Sequence, residues 1–169
     1  MSQKGMKMGH LGVAMKDVRE KLSLSQEDFA SRMGYTRSAL SRIESGDRPI
    51  PEDIESKLSR SSWRFALRVA NHRTGGWITD LLAIMPDFDL HPAALKELVT
   101  KELRELMEQL GKIILLNKAT PEEATRLWSE AKDVCDNVFV FMGVLEEQFQ
   151  LDRNKLIQQY ENEVREGRR

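Results

Sequence analysis

Residues 25–45 read SQEDFASRMGYTRSALSRIES, and the fold of the N-terminal part is decided there. Ser25 stands where a helix N-cap belongs, with Asp28 three residues on as a weaker acidic relative of the capping-box residue. Phe29, Ala30 and Met33 then fall on one face at helical spacing. Gly34 suits the left-handed position just past a helix end, because it lacks the Cβ that penalises positive φ. Thr36 caps the next helix, Ala39, Leu40 and Ile43 form its inner face, and Gly46 ends it.

Two short helices around a tight glycine turn, with the small Ala30 where crossing helices approach closely, have helix-turn-helix geometry. The outward face of the later helix carries Arg37, Ser38, Ser41 and Arg42, all of them hydrogen-bonding side chains. An α-helix fits the major groove of duplex DNA and presents its N-terminal residues to the base edges first. Arg37 and Arg42 suit guanine O6 and N7, where a bidentate contact gives roughly 1–3 kcal/mol of discrimination. Gln26, Thr36 and Ser45, with amide groups at the helix starts, are the expected phosphate contacts, and Arg48 is another.

Outward from this segment the same periodicity continues. Leu11, Met15, Val18 and Leu22 mark the inner face of a preceding helix. Pro51-Glu52-Asp53 places a proline and two acids in a first helical turn, so a fourth helix is predicted over 51–60. Ser62 opens a fifth, with Trp63, Ala66, Leu67 and Ala70 as its apolar side.

The stretch LSQEDFASRMGYTRSALSRIESGDRPIP, residues 24–51, resembles the lambda-repressor-like, or XRE/Cro, helix-turn-helix class. The resemblance lies in Leu24, Gln26, Phe29, Ala30, Gly34, Ser38, Leu40, Ile43, Glu44, Gly46 and Pro49. It implies a five-helix DNA-binding domain in which Gln26 caps and touches phosphate. It also implies that Arg37, Ser38, Ser41 and Arg42 read bases while Glu44 is structural. The segment EDIESKLSRSSWRFALRVAN departs from the class in being more polar and richer in serine. From Trp63 through Gly75-Gly76-Trp77 to Asp89-Leu90-His91 the chain is similar to regulators of this type from phages, prophages and mobile elements of Gram-positive bacteria.

The second half has longer helices. Val99, Leu103, Leu106, Leu110 and Ile113 step by four, three, four and three, a narrow heptad seam. Thr120-Pro121-Glu122-Glu123 opens another long helix, with Ala124, Leu127, Ala131, Val134, Val138, Phe141 or Met142, Leu145 and Phe149 repeating the pattern. Two such helices form an antiparallel hairpin. Val138-Phe139-Val140-Phe141-Met142 projects around more than a full turn, so the hairpin alone leaves one side bare. A helix over 77–85, a C-terminal helix over 152–166, or a second copy of the chain is needed to cover it. A symmetric homodimer is the expectation, because paired reading heads stand roughly 34 Å apart on an operator. Its interface is expected at Val99, Leu103, Leu106, Leu110, Val138, Phe141, Met142 and Leu145. Gly111 and Gly143 inside these helices suggest close helix approach.

Charge divides the chain in the same place. Residues 1–75 carry 14 Lys and Arg against 9 Asp and Glu, whereas residues 76–169 carry 12 against 18. A basic half suits a polyanion such as DNA and the acidic half is repelled by it. The expected organisation is therefore an all-α chain, with a DNA-binding domain over 1–75 and a helical oligomerisation or regulatory domain over 76–169.

Other chemistry is poorly represented. His10, His72 and His91 lie in separate segments without metal-ligand spacing, and Asp87-x-Asp89 lacks the rest of a calcium loop. No phosphate-binding glycine loop or nucleophile elbow occurs. Cys135, the single cysteine, lies in an apolar helical pattern and reads as a core residue. No metal, cofactor or catalytic site is expected. The N-terminal MSQKGMKMGH lacks a signal-peptide core and Val138–Leu145 is too short to span a membrane, so a cytoplasmic protein is expected.

Double-stranded operator DNA is the expected partner, read by a dimeric repressor. No self-cleaving protease domain is evident, so induction is expected from an antirepressor, another protein partner or a ligand. An alternative makes the acidic half the working end of an antitoxin or adaptor that binds a partner protein and uses DNA for autoregulation. A third reading is an activator that touches RNA polymerase with the acidic surface.

Overall fold

A computed structural model describes residues 11–113 and 115–169. The readings made for residues 1–10, His10 among them, lie outside the described residues. Every regular element among the described residues is helical, and the chain divides into two compact units, Met1–Ile78 and Thr79–Arg169. The division falls just past Gly75-Gly76.

The first unit contains α1 (Leu11–Lys21), α2 (Gln26–Met33), α3 (Arg37–Glu44), α4 (Glu52–Ser61) and α5 (Trp63–Arg73). The caps that define the short helices are those the sequence indicates. Ser25 Oγ accepts from the Asp28 amide, Thr36 Oγ1 from Ala39 and Ser62 Oγ from Phe65. Each satisfies one amide donor that the first helical turn leaves open, worth about 1 kcal/mol. Gly34 ends α2 at φ +78, and Gly46 follows α3 at φ +85.

One core joins these helices: Met15, Phe29, Ala30, Leu40, Ile43, Ile54, Leu58 and Phe65 are each no more than 2 % exposed. α1 packs against α3 and α5, α2 against α3, and α4 against α5. Two expectations are corrected here. Leu22 is 55 % exposed, because α1 stops at Lys21 and Ser23 turns the chain at φ +54. On α5 the deeply buried residue is Phe65, with Trp63 and Leu67 beside it, whereas Ala66 and Ala70 are only half-buried. The serine-rich α4 still supplies the core with two aliphatic side chains, Ile54 and Leu58.

The second unit contains α6 (Leu81–Ile84), α7 (Pro92–Lys112), a 3-10 turn (Leu116–Lys118), α8 (Pro121–Phe149) and α9 (Arg153–Arg165). α7 and α8 pack together as the expected hairpin. A full capping box starts α8: Thr120 Oγ1 accepts from the Glu123 amide and the Glu123 carboxylate accepts from the Thr120 amide. The helix expected over 77–85 is corrected to the single turn α6, capped by Asp80.

Leu95 and Val99 of α7 and Val140 and Val144 of α8 are the buried apolar residues of this unit. Polar groups are buried beside them. Lys132 Nζ bonds the Asp136 carboxylate at 2.5 Å and the Thr79 hydroxyl, and the Thr79 amide donates to Asp136. Cys135 is exposed on α8, next in sequence to the buried Asp136, so its expected core position is corrected. Gly111 has open space where a Cβ would stand, so close helix approach does not explain it, while Gly143 is buried. No helix of the described residues is long and apolar enough to cross a membrane.

Candidate nucleic-acid interface

The geometry of α3 follows from which of its residues are drawn inward. Leu40 and Ile43 are at most 1 % exposed and Glu44 is 8 % exposed, so the opposite face must point outward. Arg37, Ser38, Ser41 and Arg42 all lie exposed on it. Among the described residues neither Arg37 nor Arg42 has an ion-pair partner. The two guanidiniums thus stand five residues apart on one short helix, free to meet an acceptor.

Glu44 anchors this helix from behind. Arg19 Nε donates to Glu44 Oε1 at 2.7 Å and Nη2 donates to Oε2 at 3.1 Å, while Nη1 reaches the Leu24 carbonyl at 3.0 Å. The hydrogen bond to Glu44 and the carboxylate charge raise the Arg19 pKa against the opposing effect of burial. Gln26 Nε2 also donates to Glu44 Oε2, at 2.9 Å. One carboxylate thereby ties α1, the start of α2 and the end of α3 together.

The phosphate candidates sit in different states. Gln26 is half-buried with one amide hydrogen on Glu44, which leaves the second for a phosphate. Thr36 is exposed and its oxygen caps α3, which leaves its hydroxyl proton available. Ser45 Oγ lies 2.7 Å from Asp47 Oδ2 and 3.1 Å from the Arg42 carbonyl, so its single proton is engaged within the protein. Arg48 is exposed, and its amide holds the Arg42 carbonyl at 3.0 Å, which positions the loop after α3.

Arg19 was not among the residues singled out by sequence. Its signal is present, since it is a cation on the inner side of α1 facing an inward glutamate on α3, and opposite charges directed into one core require each other. Tyr35 is a second such residue. Its hydroxyl donates to Asp53 Oδ1 at 3.2 Å and so links the α2–α3 turn to α4. Desolvation, then the Asp53 charge, raises the Tyr35 pKa.

The residues expected at a dimer interface are divided by the structure. Val99 is buried within the unit; Leu106, Val138, Phe141 and Leu145 are half-buried; Leu103, Leu110 and Met142 are 43 %, 49 % and 52 % exposed. His91 Nδ1 accepts from the Ala93 amide as the cap of α7, and His72 is exposed on α5. Glu102, Glu130 and Asp133 bring carboxylate oxygens within 4.8 Å of one another, and Lys101 Nζ lies 3.2 Å from Glu102.

No curated protein and no solved structure matches the chain. Residues 15–60 match the family model described as helix-turn-helix. The match runs from α1 to the end of α4 and includes all eight candidate DNA contacts. It supports a DNA-binding transcription regulator, and over these residues the chain is similar to the helix-turn-helix family.

Proposed function

We propose that this protein is a sequence-specific transcription repressor that binds a palindromic operator as a dimer and reads it with α3 in the major groove. The observation that carries the reading is the outward face of α3. Its two arginines, unpaired among the described residues, and two serines are exposed on a helix held from behind by a buried core and the Arg19–Glu44 pair. A rigid helix with unsatisfied donors on one face is what base-edge recognition requires. Arg37 and Arg42 serve as base readers with Ser38 and Ser41 between them. Gln26, Thr36 and Arg48 set the register on the phosphates, whereas Ser45, whose proton is held by Asp47 and the Arg42 carbonyl, shapes the loop after α3 instead. The setting proposed for it is a promoter of a phage, prophage or mobile element of a Gram-positive bacterium, which is what the resemblance read in the sequence of residues 63–91 implies.

The acidic balance of residues 76–169 keeps the second unit off the polyanion and suits it to protein contact. There it supplies dimerisation, and an antirepressor or other protein partner acts on it.

Selection of bound duplexes from a random pool at about physiological salt tests this directly. An enriched inverted repeat is the expected result, with affinity that falls steeply as salt rises. Recovery of no motif would overturn it in favour of a protein partner as the main ligand of an antitoxin-like or adaptor protein.

A further inference from the structure

Three carboxylates meet where α7 packs against α8. Glu102 of α7 and Glu130 and Asp133 of α8 each bring an oxygen within 4.8 Å of the others. Glu102 is 8 % exposed, Glu130 is half-buried and Asp133 is exposed, so the group runs from the helix interface out to solvent. Among the described residues, the side chains of Glu130 and Asp133 have no hydrogen bond or ion pair. Lys101 Nζ stands 3.2 Å from Glu102 Oε1, but it is shared with Glu105 at 3.1 Å and its side chain is 57 % exposed. Carboxylates this close repel one another, and the burial of Glu102 removes water that would screen them.

A second feature, independent of these charges, lies one turn further along α8. Asn137 is as buried as Glu102, and its Oδ1 is enclosed without a donor. Its Nδ2 donates to the Asp133 carbonyl at 2.8 Å, so the carboxamide is folded back along α8 onto the turn that carries Asp133. Glu130, Asp133 and Asn137 stand at spacings of three and four, on the stripe that continues into the buried Val140 and Val144. A buried amide oxygen without a donor is an exception that calls for a partner, and its neighbours here are three further acceptors. A cation satisfies all four.

We propose that Glu102, Glu130, Asp133 and the amide oxygen of Asn137 form a binding site for a hard divalent cation of the class of Mn2+, Mg2+ and Ca2+. The donors are all oxygens, three charged and one neutral, which favours this class over zinc with its preference for histidine and cysteine. Exposed Asp133 leaves an entry side open, where water completes the coordination. Lys101, already bonded to Glu105, gives way to the ion. With ligands from both helices, the cation joins α7 to α8 and stabilises the hairpin. Spacing along the chain gives no sign of the site, because only the hairpin brings Glu102 to Glu130. The inference concerns the second unit and stands apart from the DNA-binding reading.

The test uses the full chain without DNA. Mn2+ binding is followed by the loss of the free ion's electron paramagnetic resonance signal, and thermal unfolding is recorded with and without each of the three ions. The expected result is one Mn2+ per chain, saturating below about a millimolar, with Ca2+ or Mg2+ in competition. Glu130→Gln and Asp133→Asn, both at solvent-accessible side chains, should fold like the wild type. Each should weaken Mn2+ by at least roughly tenfold, the least that losing even a supporting group costs a metal. The Glu97→Gln/Glu122→Gln variant, which removes two exposed acids of the same two helices, should leave the affinity unchanged. Saturating Mn2+ should raise the unfolding midpoint of the wild type and of that control more than of either site variant. Absence of saturable binding by all three ions, or equal weakening in the Glu97/Glu122 control, would overturn the site. A midpoint raised by a lysine-rich peptide and by none of the ions would also overturn it, and would assign the acids to a basic protein partner.

Discussion

The guanidinium of Arg19 lies across the carboxylate of Glu44 with two hydrogen bonds, 2.7 and 3.1 Å, joining the first helix to the end of the helix that faces DNA. The two side chains are 10 % and 5 % exposed, so each charge has exchanged water for the other. Removing one partner leaves the other buried without compensation, which costs about 3–5 kcal/mol. Glu44→Ala and Arg19→Ala should each lower the unfolding free energy by an amount in that range in urea titrations. Replacement of both by well-packed apolar residues should cost much less than the two losses added together. Additive losses in that cycle would show that the pair is not the unit of stability.

Gly34 and Gly111 predict opposite signs for one substitution. Both have open space at the Cβ position, so sterics from neighbours decide nothing. Gly34 holds φ +78, where an alanine Cβ meets its own backbone, and Gly34→Ala should cost roughly 1–2 kcal/mol. Gly111 is an exposed residue in the last turn of α7, and Gly111→Ala should stabilise the second unit by roughly 0.5 kcal/mol. Thermal unfolding of the two variants measures both, and a shift in the same direction would contradict the reason given for each glycine.

These glycines also show where the sequence is transparent and where it is not. Gly34, Ser25, Thr36 and Thr120 act through bonds to residues within a few positions, so their roles could be read from the chain directly. The outward face of α3 was legible for the same reason, since Leu40 and Ile43 assign the opposite side to the core. Arg19 and Glu44 lie 25 positions apart, and their pairing depends on how α1 crosses α3, which periodicity does not report. Phe65 is not distinguished by the sequence, because the apolar residues of α5 occupy more than one face and only the packing with α1 and α4 selects among them. Gly111 misled because a glycine within a helix suggests contact, while the residue in fact stands near an exposed end.

Substitutions on α3 separate base reading from backbone attachment. Arg37 and Arg42 are exposed and unpaired among the described residues, so neither should matter to folding. Each to alanine should relax preference at one base position of a half-site and cost about 1–3 kcal/mol on the operator, less on random DNA. Gln26→Ala should weaken binding to both alike, because a phosphate contact carries no sequence information. Competition binding against operator and random duplexes distinguishes the classes. Equal losses on both duplexes from all three substitutions would remove Arg37 and Arg42 from the set of base readers.

Tyr35 provides a pH signature for the turn that positions α3. Its hydroxyl donates to Asp53, and desolvation together with the Asp53 charge holds its pKa above the ordinary tyrosine value. A folded-state pKa above the unfolded one means that the contribution to stability is complete below the ordinary tyrosine value. It is lost as pH rises through the folded value. The chain has two tyrosines, so the phenolate absorbance of the Tyr160→Phe variant isolates Tyr35. In that background the midpoint should lie above the ordinary value, and Asp53→Asn should lower it part of the way, because desolvation, the larger cause, remains. A midpoint indifferent to Asp53→Asn would mean that the tie between the α2–α3 turn and α4 does not form in solution. The rigidity argued for the reading helix would then rest on the core and the Arg19–Glu44 pair alone.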